Sequence, residues 1–246
     1  MNTNYNKLSV LIPAYNEESR IETTLRETRR FLESIDIPYE IVVVDDGSGD
    51  RTFEAANRLA DDTIKVHRSP QNGGKGQALK TAFRYSEGDL VLFLDADLDI
   101  HPDQCVPLLE AIQQPNVQAA IGSKLHPDAK IQYPLTRRIM SRGYSLMVQI
   151  LFSLPLRDTQ TGIKLFEAQV LKQVFHLVEL DGYAFDLELL SLANRNGFSI
   201  VEVPIKMNFG TKRNHMTSKV VLNMFKDTVA LFWRLQRMPR HSERNQ

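Results

Sequence analysis

Leu90-Val91-Leu92-Phe93-Leu94 is an uninterrupted apolar run, and Asp95-Ala96-Asp97-Leu98-Asp99 follows it directly. A run that is apolar on both faces is typical of a strand buried in a parallel sheet. If the chain stays extended beyond Leu94, the carboxylates of Asp95, Asp97 and Asp99 point to one side. Like charges this close repel one another unless a cation lies among them, and hard oxygen ligands suit Mg²⁺ or Mn²⁺. The stretch therefore predicts a strand that ends in a metal site, with an ordinary acidic turn as the alternative.

The residues before this stretch alternate between strand and helix patterns. Leu8–Ile12 and Ile41–Val44 are short apolar runs, and apolar residues recur at helical spacing over residues 21–35. Further helices are predicted at about 50–60 and from the glycine loop at 73–76 to about residue 85. This order indicates an α/β fold with a mostly parallel central sheet and helices on both faces.

The predicted strands end in polar residues, and ligands of parallel sheets bind beyond the carboxyl ends of the strands. The glycine loop lacks the spacing of a phosphate-binding loop, since no Ser or Thr follows Lys75, so we interpret it as a loop that opens a helix. We expect the residues at the strand ends to converge on one edge of the sheet: Tyr15, Glu17, Asp45, Asp46, Asp95, Asp97 and Asp99.

The second half of the chain is less regular. Strands are predicted at 119–122 and 200–203, and helices at 137–152, 165–177 and 184–194. Residues 218–237 form an amphipathic pattern that predicts a long C-terminal helix. We expect one domain over residues 1–220, with two halves at 8–123 and 124–220, followed by a helix and tail at 221–246.

Charge and cysteine content narrow the functional classes. The 246 residues contain 30 Lys+Arg and 30 Asp+Glu, so no basic excess points to nucleic acid. Residues 1–123 hold 12 basic and 20 acidic residues and residues 124–246 hold 18 and 10, so the second half favours anions. One cysteine, Cys105, allows neither an intramolecular disulfide nor a cysteine-based zinc site, which fits a reducing, cytoplasmic location. The polar start lacks the apolar core of a signal peptide.

Short motifs recur in both halves of the chain. The first half carries Pro13-Ala14-Tyr15-Asn16-Glu17-Glu18, Asp45-Asp46-Gly47-Ser48 and Asp95-Ala96-Asp97, and together these resemble family 2 glycosyltransferases with the GT-A fold. The second half carries Gly122-Ser123-Lys124 and the segments 137–143, 158–164 and 182–186, which resemble the polyprenyl-phosphate sugar synthases. Within that group, the segment 158–164 is similar to dolichyl-phosphate glucosyltransferases. Arg213 with Ser218-Lys219 resembles a motif of the mannose-phosphate dolichol synthases.

The resemblance implies roles for individual residues. Base and ribose would be held by Pro13, Tyr15, Glu17 and Asp45. The rest of the nucleotide-sugar site would comprise Asp95, Ala96, Lys124, Arg213 and Lys219. The metal ligands would be Asp95 and Asp97. Asp99 would be the third ligand, at a position where mannose synthases often carry Gln. Arg137 and Ser141 would bind the acceptor phosphate.

The resulting prediction is an inverting, metal-dependent transfer of a hexose from UDP-glucose or GDP-mannose to a polyprenyl phosphate. Its catalytic residues would include Asp97, and Asp158 or Asp186 would act as the base if the acceptor were a neutral hydroxyl. Residues 144–156 are apolar and follow a basic cluster, so they fit either a membrane surface or a buried core helix. We therefore expect a peripheral protein at the cytoplasmic membrane face.

Three other functions stay open at this stage. One is transfer to a saccharide hydroxyl. Another is a sugar-phosphate nucleotidyltransferase, which usually has a glycine-rich loop after its first strand, where this chain has Tyr15-Asn16-Glu17-Glu18. The last is a sugar-nucleotide-binding protein without catalysis, and the acids at all three strand ends argue against it.

Overall fold

The computed structural model describes residues 5–129, 135–182, 184–206 and 218–238, and for residues 135–141 and 218–223 it describes the backbone alone. These residues form a sheet of seven strands: β1 (Leu8–Ala14), β2 (Tyr39–Asp45), β3 (Ile64–Arg68), β4 (Leu90–Leu94), β5 (Ala119–Ser123), β6 (Ile163–Glu167) and β7 (Ile200–Pro204). The helices are α1 (Ile21–Glu33), α2 (Thr52–Asn57), α3 (Lys75–Arg84), α4 (Cys105–Ala111), α5 (Leu135–Phe152), α6 (Ala168–Val174), α7 (Phe185–Arg195) and α8 (Ser218–Arg237).

The sheet has the order β3-β2-β1-β4-β6-β5-β7. All neighbouring strands are parallel except β6, which runs antiparallel to β4 and β5. Strands β1, β2 and β4 therefore end at one edge of the sheet. Because β6 runs the other way, its first residue, Ile163, pairs with Leu94, the last residue of β4. The predicted fold class, a mostly parallel sheet with helices on both faces, is confirmed.

The two faces of the sheet hold two separate hydrophobic clusters. On β1, Val10 and Ile12 pack in the cluster that contains Leu25 of α1, whereas Leu11 packs in the cluster that contains Leu79 of α3. This alternation follows from the period of two of a β-strand. Every residue of β4 is buried, as its apolar sequence predicts. Helix α8 contributes Leu231 and Leu235 to the second cluster, so its apolar stripe packs on the same core.

Strand β6 corrects the predicted helix at 165–177, which starts only at Ala168. A short apolar run does not distinguish a buried strand from a buried helix, and sheet partners on both sides decide the case here. Ile163 and Leu165 pack in the first cluster and Phe166 in the second. Lys164 therefore shares the face of Phe166.

Candidate active site

The chain leaves β4 in a turn, and the turn places the carboxylates differently from the predicted extended alternation. The strand ends at Leu94, Leu98 has a φ of 58°, and the Asp99 N–H donates to Asp97 Oδ1 at 3.0 Å. Ala96 is buried, and its carbonyl accepts from Thr24 Oγ1 of α1 at 2.6 Å. The prediction that the segment stays extended is therefore wrong. Within the described residues, no three His, Cys, Asp or Glu side chains form a ready-made metal cage.

The Asp95 and Asp97 side chains nevertheless have the chemistry of a metal site. Asp95 is 40% exposed. Burial raises the pKa of Asp97, and the charges of Asp95 and Asp99 add to this effect. Burial likewise raises the pKa of Glu17, and Asp97 adds to it. A Mg²⁺ or Mn²⁺ site that uses one or two carboxylates and completes its shell with substrate phosphates fits this donor set.

Asp95 lies against the segment that leads into β6. A Cβ on Gly162 would stand 2.0 Å from Asp95 Oδ2, so any larger residue there would displace the Asp95 carboxylate. The close approach follows from the pairing of Leu94 with Ile163. The antiparallel strand thus brings the 158–162 segment to the carboxyl edge.

The residues after β1 are tied to the loop after β2. The Asn16 N–H donates to Ser48 Oγ at 2.9 Å, and the Glu17 N–H donates to Thr52 Oγ1 at 2.8 Å. Pro13 is half-buried at the end of β1, while Tyr15 is exposed. The ring of Tyr15 is therefore free of the core.

The two aspartates at the end of β2 are buried and hold loops. Asp45 Oδ1 accepts from the Ser48 N–H at 3.2 Å, and its Oδ2 lies 3.2 Å from Arg68 Nε. Asp46 accepts from the N–H groups of Gly73 and Gly74 at 3.0 and 2.7 Å. Asp46 thereby fixes the glycine loop that precedes α3.

Four charged side chains form a chain from Asp95 into the protein. Lys75 Nζ lies 2.7 Å from Asp95 Oδ1 and 3.8 Å from Asp186 Oδ2. Lys164 Nζ lies 2.7 Å from Asp186 Oδ1 and also donates to the carbonyl of Thr161. The Lys164 side chain is only 1% exposed, so its charge depends on this pairing.

The pairing governs how these groups titrate. Burial alone would raise the pKa of Asp186, but the ammonium groups of Lys164 and Lys75 hold it below its usual range. Burial lowers the pKa of Lys164. Burial opposes the charge of Lys75 as well, yet Asp186 and Asp95 raise its pKa. A carboxylate with a lowered pKa is a weak base, so the geometry favours charge pairing over base catalysis for Asp186.

Asp158 is also buried and engaged. It accepts from the N–H groups of Lys124 and Gln160 at 2.9 and 3.2 Å, and Lys124 Nζ is 3.9 Å away. Its own N–H donates to Glu202 Oε1 at 2.7 Å. These contacts clamp the exit of β5 to the segment before β6.

The structure does not describe the side chains of four predicted phosphate-binding residues. Arg137 and Ser141 lie in α5 and Lys219 lies in α8, all where only the backbone is described, and Arg213 lies outside the described residues. A catalytic, metal-binding or substrate-binding role for any of the predicted site residues stays a prediction.

Helix α5 shows that part of the 144–156 segment packs in the core, while a position at a membrane surface stays a prediction. Val148 is buried and Tyr144 Oη lies 3.2 Å from Thr228 Oγ1 of α8, whereas Leu146 and Ile150 are exposed, Ile150 by 70%. One face therefore belongs to the core and the other to the surface. None of the helices in the described parts of the chain is long and apolar enough to cross a bilayer.

Sequence reasoning missed Lys75 and Lys164 as residues of this site. The loop that carries Lys75 lacks the spacing of a phosphate-binding loop, and Lys164 ends the 158–164 segment, where the resemblance implies no role for it. The available signal was weak: Lys75 follows two glycines at the start of a helix, and Lys164 interrupts an apolar run.

Comparison with known proteins agrees with this architecture. The family model described as glycosyl transferase family 2 matches residues 9–175. Glycosyltransferase AglD of Haloferax volcanii is 33% identical over 97% of this chain, and the dolichyl-phosphate β-glucosyltransferase of Dictyostelium discoideum is 30% identical over 92%. This chain spans 39% of the length of AglD and 74% of the length of the Dictyostelium protein.

Solved structures share the fold at lower identity. The glucosyl-3-phosphoglycerate synthase of Mycobacterium tuberculosis, solved in complex with Mn²⁺, UDP-glucose and phosphoglyceric acid, superposes with a TM-score of 0.70 at 21% identity. The match covers 96% of this chain and 81% of that one. The family model and the shared fold support the same assignment. The chain belongs to glycosyltransferase family 2 and has a GT-A fold.

Proposed function

We propose that this protein transfers a hexose from a nucleotide sugar to a polyprenyl phosphate, with inversion and with a divalent cation. The observation that carries the proposal is the pair of carboxylates, Asp95 and Asp97, that lie beside Lys75 at the edge of the sheet where β1, β2 and β4 end. The names of the relatives support the acceptor class, since the Dictyostelium protein is a dolichyl-phosphate glucosyltransferase. The same name supports glucose as the hexose, and we favour UDP-glucose as the donor because the related Mycobacterium tuberculosis structure holds it.

The donor would lie across the exits of β1, β2 and β4. Pro13, Tyr15, Glu17 and Asp45 would hold the base and ribose, with Tyr15 offering an exposed ring. The diphosphate would lie near Asp95, Ala96 and Asp97, with Lys124, Arg213 and Lys219 completing its contacts. A Mg²⁺ or Mn²⁺ ion on Asp95 and Asp97, with Asp99 beside them, would supply Lewis-acid stabilisation of the leaving diphosphate.

The state of the buried acids favours a phosphate acceptor over a saccharide hydroxyl. A hydroxyl needs a general base, but Asp158 accepts two backbone N–H bonds and Asp186 is paired with Lys164. A phosphate monoester has a second pKa near ~6 and is mostly ionised at neutral pH, so its oxygen needs no strong base. Arg137 and Ser141 would hold this phosphate on the acceptor side.

The outer faces of α5 and α8 support a peripheral position at the cytoplasmic face of a membrane. Leu146, Ile150, Phe225 and Trp233 are exposed there, and the two helices pack on each other through Tyr144 and Thr228. The sequences of α5 and α8 contain seven Lys or Arg residues and one acid, Asp227. Basic residues near an apolar surface attract anionic lipid at about 1 kcal/mol each.

The direct test is transfer of labelled hexose to dolichyl or undecaprenyl phosphate with Mg²⁺ or Mn²⁺. UDP-glucose and GDP-mannose are compared as donors, and the free polyprenol without its phosphate is the matched control acceptor. We expect product with the lipid phosphate and none with the free polyprenol. We also expect no product in excess EDTA. Full activity in EDTA contradicts the metal, and transfer to a saccharide hydroxyl instead of the lipid phosphate contradicts the acceptor.

A variant on the acceptor side separates the two substrates. Arg137→Ala should raise the KM for the lipid phosphate about tenfold and change that for the nucleotide sugar less, because a guanidinium binds a phosphate with two hydrogen bonds. Unchanged lipid-phosphate kinetics in the folded variant would remove Arg137 from the acceptor site.

A further inference from the structure

Lys75 is paired with a carboxylate that the proposed metal would use. Its Nζ lies 2.7 Å from Asp95 Oδ1, so the ammonium competes with a cation for the charge of that carboxylate. The lysine side chain is 31% exposed and the aspartate 40%, so both groups face the edge where a ligand arrives. An ammonium on a flexible stem can leave such a contact without moving the backbone.

The groups behind Lys75 are fixed in place. Lys75 is the first residue of α3, and Asp46 holds the two preceding glycines through their N–H groups. The Gly76 N–H donates to the carbonyl of Asp181 at 3.0 Å. The backbone of Lys75 is therefore anchored, and only its side chain is free to change partner.

Lys75 and Lys164 pair with Asp95 and Asp186 before any ligand binds, and Lys164 stays with Asp186 at 2.7 Å. A divalent cation on Asp95 and Asp97 would stand beside the Lys75 ammonium, and these like charges repel each other. The diphosphate of a nucleotide sugar brings negative charge that attracts both the cation and the ammonium.

We propose that Lys75 is an internal counter-cation that covers Asp95 until the nucleotide sugar arrives. It weakens metal binding in the nucleotide-free protein and moves from Asp95 to the diphosphate when metal and nucleotide bind together. The inference rests on the proposed donor and metal, and it adds that one residue couples their binding. By thermodynamic linkage, the metal tightens nucleotide binding by the same factor as the nucleotide tightens metal binding.

The test measures Mn²⁺ binding to the whole protein by electron paramagnetic resonance, without nucleotide and without acceptor. Lys75→Met removes the ammonium and keeps a side chain of similar length. We expect Mn²⁺ to bind this variant roughly tenfold tighter than the wild type, within the usual range of couplings between sites. UDP should bind the same variant more weakly in the presence of Mn²⁺, because the diphosphate has lost a cation.

The opposite directions of these two changes distinguish the proposal from a purely structural role. A distorted site would bind both Mn²⁺ and UDP more weakly, and equal or weaker Mn²⁺ binding by Lys75→Met overturns the proposal. Lys75→Arg keeps a cation and should stay close to the wild type. Lys75→Gln provides a second neutral variant should the methionine variant fail to fold.

Two controls complete the experiment. Lys80→Met removes a charge from the same helix, where Lys80 Nζ lies 3.0 Å from Asp181 Oδ1, and should leave Mn²⁺ binding unchanged. In the Asp95→Asn background, Lys75→Met should no longer tighten Mn²⁺ binding, and persistent tightening there overturns the proposal. Normal transfer to lipid phosphate without the Mn²⁺ effect defeats this inference alone. The Mn²⁺ effect without transfer to lipid phosphate defeats the proposed acceptor alone.

Discussion

The exits of β2 and β4 carry similar acidic sequences at the same edge of the sheet, yet their carboxylates are in different states. After β2, Asp46 is buried and both its oxygens accept backbone N–H groups. After β4, the Asp95 side chain is 40% exposed and contacts a lysine side chain. Asp97 accepts the Asp99 N–H of its own turn with one oxygen, and burial and like charges raise its pKa. The first exit builds the loops and the second is available to a ligand.

The difference lies in the partners rather than in the acids. Backbone N–H groups of a packed loop cannot be exchanged for a ligand without opening the loop, and an unpaired buried donor costs about 1–3 kcal/mol. The Lys75 side chain can leave Asp95 when a metal or a diphosphate binds, without opening a loop. A bound metal also relieves the repulsion between Asp97 and the neighbouring carboxylates. Acidic side chains whose partners can be exchanged for a ligand therefore identify a site better than acidic residues alone.

The largest expected effect tests the available carboxylates. Asp97→Asn should reduce hexose transfer about a thousandfold, because a bound cation contributes several kcal/mol of transition-state stabilisation. The melting temperature should not fall, since the variant removes a charge that the neighbouring carboxylates repel. Single-turnover transfer and calorimetry measure the two quantities, and a variant that keeps half its activity would contradict the role of Asp97.

The next effect contrasts partnered and repelled carboxylates by their pH dependence. Glu40 is buried, and although burial opposes its charge, bonds from Lys65 and Ser9 lower its pKa to about 2. The ordinary pKa of a glutamate is 4.5, so this pairing stabilises the fold above that pH by about 3 kcal/mol. The stabilisation is lost as the pH falls from 4.5 toward about 2.

Denaturant unfolding of Glu40→Gln against the wild type measures this effect. The deficit of the variant should be largest at neutral pH and shrink below pH 4.5. Asp97→Asn should behave in the opposite sense, because a raised pKa makes ionisation unfavourable in the folded state above that pKa. Its gain over the wild type should disappear on acidification, and parallel pH profiles for the two variants would remove the contrast.

A smaller effect tests the loop-building exit. Asp46→Asn turns an amide NH₂ toward one of two backbone donors and should destabilise the fold by about 2 kcal/mol. The melting temperature should fall by roughly 4–8 °C. Since Asp46 fixes the loop before Lys75, transfer activity should fall together with stability. An unchanged melting temperature would show that Asp46 is as free as Asp95.

The smallest effect extends the contrast to the surface of α5. Ile150→Ser should weaken binding to vesicles of anionic and zwitterionic phospholipid by about fivefold, because an exposed isoleucine loses about 1 kcal/mol of apolar burial. Tyr85→Ser, at an exposed aromatic outside α5 and α8, is the control and should bind as the wild type does. Equal losses in both variants would contradict docking through α5.

Particular elements show how far sequence reasoning reached. β4 and its acidic end, the helix α1 and the long α8 follow from local periodicity and were predicted at nearly their observed positions. The interpretation of residues 165–167 as helix was wrong, because a short apolar run is ambiguous until its sheet neighbours are known. The extended alternation of Asp95, Asp97 and Asp99 was wrong because the chain turns after Leu94.

The sequence by itself determined the α/β class, the family and the acids at the strand ends, because apolar periodicity and short motifs are local properties of the chain. Only the tertiary structure decided which acids are available. Lys75 meets Asp95, and Lys164 meets Asp186, because an antiparallel β6 and the start of α7 converge on the exit of β4. The energy of a charge pair depends on the distance between the charges in space. Residues far apart in sequence come close together only when the sheet forms.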